Sequence, residues 1–70
     1  MDIFTATMIA EVDYTAAGYP EGDEPSQETV VDAWQLLIDT GTCWRLQGWF
    51  GRTAAAMIDG GYCTLASEAA

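Results

Sequence analysis

The sequence predicts a small all-α domain, a bundle of three or four helices in one unit spanning residues 1–70. Three observations predict it. Val30, Val31, Trp34, Leu37 and Ile38 recur at helical spacing behind a Ser26 cap. Phe50, Ala54, Met57 and Ile58 repeat the pattern and run into Gly60-Gly61. Half of the residues are apolar and three are Trp, which suits a compact core better than a disordered chain.

Residues 3–17 read two ways. Phe4, Met8, Ile9 and Val12 share one helical face, yet Phe4, Ala6, Met8, Ala10, Val12 and Tyr14 alternate as a strand would. Thr5 and Thr7 favour the strand, whereas Ala, Met and Glu favour a helix. The expectation is a helix ending near Gly18, with the strand-like alternative left open. Residues 18–26, Gly-Tyr-Pro-Glu-Gly-Asp-Glu-Pro-Ser, carry two Pro, two Gly and three acids and read as an exposed acidic loop.

Residues 27–40 form the clearest element. Glu28 falls in the first turn, where the helix dipole favours an anion. Glu28, Asp32, Gln35 and Asp39 make a polar stripe opposite the apolar face, and Gly41 stands where a helix-terminating glycine belongs. Residues 42–48, with Cys43, Trp44 and Leu46, read as a short helical turn. A last helix opens at Trp49 and runs to about Asp59. Its run Ala54-Ala55-Ala56 gives helix propensity and lets a neighbour approach closely. Tyr62 to Leu65 are expected to pack back, and residues 66–70 to fray.

Charge is the sharpest bulk feature. The chain has eleven acids, two Arg, no Lys and no His, for a formal net charge of −9. Eight of the acids fall in residues 1–32, which hold no base. Such a field repels nucleic acid and anionic membrane and attracts basic partners. It also helps keep a rather apolar small protein in solution. No leader-like basic cluster precedes an apolar run, and no run approaches a membrane span, so the expected location is the cytoplasm. There Cys43 and Cys63 would stay reduced, with Cys43 a small core residue. The Cys and His content is too small for a structural zinc site.

Asp39-Thr40-Gly41 matches the catalytic triplet of aspartic proteases, and Gly51-Arg52 echoes a segment packed behind that site in the retroviral type. Such an enzyme would be a dimer sharing one proton between two Asp39 carboxylates. Only nine residues, Thr42 to Phe50, separate the two motifs, and no flap fits there. The cap, period and polar stripe upstream make Asp39 a last-turn helical residue instead. Without His or Lys, the usual general bases, the Schiff-base amine and the phosphate-binding loop are missing. Glu21-Gly22-Asp23-Glu24 lacks the alternating ligands of a calcium loop and reads as solvated. A helix–turn–helix reading founders on the helix that would serve for recognition, where Arg52 is the one base.

Trp34, Trp44 and Trp49 lie within sixteen residues. One or two should fill the core and one should stay partly exposed as an interface anchor. Arg45 and Arg52 could pair with Asp39 or Asp59, or stack on a Trp.

The stretch Leu37-Ile38-Asp39-Thr40-Gly41, then Trp44-Arg45-Leu46-Gln47-Gly48-Trp49-Phe50-Gly51-Arg52, then Met57 to Cys63, resembles a family of short acidic proteins from actinobacterial phages and their hosts' genomes. The match covers about residues 30–63, while the loop over 14–26 is longer and more acidic than that pattern. The resemblance implies a source and a small helical fold, and brings no catalytic residues. Within the pattern, Leu46, Trp49 and Phe50 are expected in the core, and Gly48 and Gly51 at special backbone or close approaches.

These readings converge on a non-enzymatic phage-type accessory protein that needs no cofactor and binds a host or phage protein with a basic surface. The candidate contact residues are Glu21, Asp23, Glu24, Glu28, Asp32, Asp39, Trp44, Arg45, Trp49 and Arg52. One alternative makes the carboxylates from Glu21 to Asp39 a nucleic-acid mimic directed at a defence or transcription protein. Another is a homo-oligomer formed through the Trp segment.

Overall fold

A computed structural model of the chain describes residues 1–65; the fraying expected of residues 66–70 lies outside them. The described residues form three α-helices and no strand, as the all-α reading expects. They are α1 (Ile3–Ala10), α2 (Gln27–Asp39) and α3 (Gly48–Asp59), with a single 3-10 turn over Thr42–Trp44. Helix α1 lies along α2, and the 3-10 turn is wedged between α2 and α3. None of the helices is long and apolar enough to cross a membrane among the described residues.

Helix α2 is built as its local sequence dictates. The Ser26 hydroxyl accepts from the Thr29 N–H, and Ala33, Trp34, Leu37 and Ile38 are buried. Val30, Val31 and Leu36 pack at the edge of that core. Gly41 then turns at φ +74°, with its N–H bonded to the Ile38 carbonyl. This left-handed position after the cap is one that glycine adopts without steric penalty. In α3, Phe50 and Ala54 are buried and Met57 and Ile58 pack against the core. The helix begins one residue earlier than Trp49 and ends at Asp59 as expected.

Helix α1 corrects the sequence reading in two respects. It stops at Ala10 instead of near Gly18. The Val12 N–H bonds to the Ile9 carbonyl and the Asp13 N–H to the Met8 carbonyl, which closes a Schellman motif. Val12 occupies the left-handed residue of that motif at φ +63°, the single non-glycine residue with positive φ among those described. A second, separate helical turn follows. Asp13 caps it through the Ala16 N–H, and Gly18 ends it at φ +102°. The predicted stop at Gly18 therefore belongs to this turn and not to α1. The buried face of α1 is also different. Ala6, Ile9 and Ala10 face the core, while Phe4 is 62 % and Val12 67 % exposed. The alanines Ala6 and Ala10 on either side of Ile9 let α1 and α2 lie close together.

The loop between α1 and α2 is more structured than its composition suggests. Tyr14, Ala17 and Tyr19 pack on the core, and the two tyrosine rings meet edge to face at 6.4 Å. Pro20 to Asp23 form a turn closed by the Asp23 N–H to Pro20 carbonyl bond, with Gly22 at φ +89°. This is the position of a type II turn that requires positive φ.

The tail packs back as expected. Cys63 is buried, and the Gln35 side chain clasps Thr64 from both sides. Its Oε1 accepts from the Thr64 N–H at 2.9 Å, and its Nε2 donates to the Thr64 carbonyl at 2.9 Å. Tyr62 and Leu65 remain exposed.

Candidate interaction surface

The core holds no buried charged or polar side chain among the described residues. Every carboxylate among residues 1–65 is exposed, and so are both arginines. Glu21, Asp23 and Glu24 stand on the turn that precedes α2. Glu28 and Asp32 follow along its solvent side, and Asp39 closes its last turn. The stripe predicted on α2 is thus present with one change. Its central member, Gln35, is occupied by Thr64 and also donates to the Asp39 carboxylate at 2.8 Å. The returning tail therefore divides the acids of α2 into a Glu28–Asp32 group and Asp39.

The Asp39-Thr40-Gly41 triplet lies at a helix end. Thr40 Oγ1 donates back to the Leu36 carbonyl at 2.9 Å and shares a hydrogen bond with Thr42 Oγ1 at 2.7 Å. Helical backbone holds Asp39, where the protease reading needs a loop between strands.

The three tryptophans divide their roles. Trp34 is buried, and Trp49 is half-buried against it at 6.4 Å, edge to face. Trp49 also stacks on Phe50 at 3.9 Å. This three-ring cluster joins α2 to the start of α3, so Trp49 serves the core and is not an open contact residue. Trp44 is 49 % exposed, the most exposed of the three. Its ring lies over Gly51, where an added Cβ would stand 3.5 Å from the ring edge. Leu46, expected in the core, is exposed instead. It follows the 3-10 turn and precedes α3, so no helical face carries it inward.

The two arginines also find specific places. Arg45 Nη2 donates to the Thr40 carbonyl at 3.1 Å, a cation on the negative end of the α2 dipole. The Arg52 guanidinium folds over Gly48, where a Cβ would meet its Nη1 at 3.1 Å. The Gly-x-x-Trp-Arg and Gly-x-x-Gly-Arg spacings thus have a physical reason. Each glycine lies under the side chain of a residue nearby, with Gly41 under Arg45, Gly48 under Arg52 and Gly51 under Trp44.

Both cysteines are buried free thiols. Burial pushes the Cys43 thiol above its ordinary value. Burial does the same for Cys63, and the nearby Asp39 and Asp32 carboxylates add to the shift. A raised thiol is a poor nucleophile, which fits a structural role. No group of three or more His, Cys, Asp or Glu side chains that could hold a metal ion occurs among the described residues.

One feature escaped the sequence reading. Met1, Ile3, Phe4 and Val12 are four of the large apolar side chains that the fold leaves exposed, and all belong to α1 or its flanks. The signal was in the composition of α1, whose eight residues contain no charge, but periodicity alone pointed Phe4 inward.

No curated protein and no solved structure matches the chain. A family model described as a domain of unknown function, DUF7417, matches residues 7–70. That span takes in the loop, the acidic side of α2, the Trp44 turn and all of α3, and the chain belongs to this family.

Proposed function

We propose that this chain is a non-enzymatic accessory protein, of phage type, that uses its acidic surface to bind a host or phage protein carrying a basic one. The observation that supports it is the disposition of charge. All the described carboxylates are in water, eight of them within residues 1–32, and no base offsets them there. A surface of this kind speeds encounter with cationic partners and sets their orientation. Exposed Trp44, flanked by Arg45, supplies an aromatic anchor of the sort that dominates interface energetics.

A second reading, nucleic-acid mimicry, draws on Glu21, Asp23, Glu24, Glu28 and Asp32, which stay exposed in succession along the turn and the first half of α2. A mimic would occupy the groove in which a DNA- or RNA-binding protein holds phosphates.

Affinity capture with the wild type and with a Glu21→Gln/Asp23→Asn/Glu24→Gln variant tests both. The accessory reading expects a retained partner whose binding weakens with salt and drops in the variant. Equal retention by the two proteins at all salt concentrations would refute it. Competition by duplex DNA selects mimicry, and indifference to DNA removes it.

A further inference from the structure

We infer that the outward face of α1 is a second docking surface, and that its occupant is a short amphipathic protein segment with an apolar centre and Lys or Arg at both ends. The inference keeps the basic partner of the proposed function and adds a surface distinct from the α2 acids.

The apolar centre comes from exposed Phe4 and Val12, with half-buried Met8 between them in the chain. The buried face of α1 is Ala6, Ile9 and Ala10. At 100° per residue, Phe4 and Met8 stand on the opposite side, one turn apart. Val12 lies just past the end of the helix, where its positive φ takes it off the helical spacing, and its side chain is exposed there. Phe4 and Val12 are 62 % and 67 % exposed, so neither contributes to the core.

Val12 also carries strain that the fold does not need. Among the described residues, four segments end on a left-handed residue just after the last helical turn, and Gly18, Gly41 and Gly61 serve the other three. Glycine fits that conformation freely, and a β-branched residue fits it worst. A strained residue whose side chain is in water is explained when the side chain has something else to meet.

The flanking charges define the occupant. Asp2 caps the start of α1 by accepting from the Thr5 N–H at 2.7 Å, and Glu11 and Asp13 follow its end. All three are exposed. The two acidic ends are separated by about 12 Å, the length of eight helical residues. A segment that covers Phe4 and Val12 therefore meets carboxylates at both ends and is complementary when it carries cations there. A second copy would bring the same acids against its own, and an anionic membrane would be repelled by them.

The test uses a synthetic peptide of roughly a dozen residues, with Leu and Phe at helical i, i+3 and i+4 positions and Lys at each end. Its Lys→Glu counterpart is the control. Backbone amide shifts of the full chain are followed during titration. The expected result is saturable binding of the Lys peptide alone, with shifts concentrated on residues 3–13. Phe4→Ala should weaken it by about tenfold, as loss of an aromatic anchor does. Val12→Gly should weaken binding while raising the urea midpoint, a pair of opposite changes that a merely structural role does not give.

Shifts confined to residues 21–39 would overturn the α1 surface and leave the proposed function standing. Absence of binding would overturn this surface as well, while capture of a partner by the α2 acids would still be read separately. A dimer in light scattering that Phe4→Ala dissolves would assign the face to a second copy. Binding to phosphatidylglycerol vesicles would assign it to lipid. Either result overturns the inference.

Discussion

Replacing Gln35 with Ala should release the tail from α2 and expose Cys63 without unfolding the protein. Gln35 holds Thr64 through two hydrogen bonds of 2.9 Å. A net hydrogen bond contributes about 0.5–1.5 kcal/mol, and these lie toward the surface, so together they hold the tail by about 1–2 kcal/mol. Removing them raises the population of the tail-open form by about 5–30-fold. A domain of this size has a total stability of about 4–10 kcal/mol, so tail opening is the cheaper event. The assay is labelling by an aromatic disulfide reagent, with Cys43→Ala and Cys63→Ala backgrounds to assign each thiol. Cys63 should react about 5–30-fold faster in Gln35→Ala, and Cys43, fully buried at the centre of the 3-10 turn, should not change. Gln35→Glu should behave at least as strongly. It loses the donor to the Thr64 carbonyl and places a carboxylate four residues from Asp39. Equal acceleration of both thiols would show that Gln35 acts through global stability, and no acceleration would show that the clasp contributes nothing; either outcome refutes the reasoning.

Four further outcomes are expected. Val12→Gly should raise stability by about 1 kcal/mol in urea denaturation, because the left-handed backbone penalty of 1–2 kcal/mol is relieved at some cost in unfolded-chain entropy. Gly51→Ala should stabilise by roughly 0.5–1 kcal/mol: the new methyl meets the Trp44 ring at an ordinary 3.5 Å and removes a glycine from a helix interior. Stability should fall at alkaline pH. Both thiols titrate above their ordinary 9.0 when folded, so the unfolded chain releases these protons first. The stabilisation is complete below that value and is lost as pH rises through the folded pKa, and the fall in urea midpoint from about pH 8 to about pH 10 should be smaller in Cys63→Ala. At acid pH the sign reverses for Asp2. The Thr5 backbone N–H, then the Thr5 side chain, holds its carboxyl below 3.8, so its stabilisation is present above that value and lost as pH falls through the folded pKa. Asp2→Asn should keep the cap and remove that part of the acid loss in α1 helicity, measured by circular dichroism.

What the sequence made legible was local. Helix α2 has its cap, its apolar face and its terminal glycine within sixteen residues, and each appears where the pattern puts it. Helix α3 is legible through its apolar face and the Gly60-Gly61 stop, while its start, which has no side-chain cap, falls one residue earlier than expected. The end of α1 was not, because its stop is made by backbone hydrogen bonds around Val12, a residue type that propensity places in strands and helices but not at a left-handed stop. Nor was the partition among Trp34, Trp44 and Trp49, since all three sit on or near a helix and only their packing separates ring stacking from exposure. The Gln35–Thr64 clasp joins residues 29 apart, a separation over which no periodicity carries information. On the surface, the acids were legible as exposed groups because burying an unpaired carboxylate is prohibitive. That the tail would divide them was not.

The separation of charge from core has a consequence for how binding and folding respond to change. No carboxylate among the described residues is buried, so none is held by the packing that stabilises Ala33, Leu37, Cys43, Phe50 and Ala54. Surface substitutions remote from caps and networks usually move stability by no more than about 0.5 kcal/mol. Glu21 and Glu24 are of that kind, whereas Asp2 caps α1 and Asp39 accepts from Gln35. Neutralising the turn before α2 lowers self-repulsion in a chain of net charge −9, which tends to stabilise it. A loss of partner binding on neutralising Glu21 and Glu24 then cannot come from unfolding, because the fold moves the other way. Val12→Gly has the same logic on α1, where relief of strain and loss of contact act on different readouts. Each proposed surface can therefore be altered while fold stability is followed as an internal control.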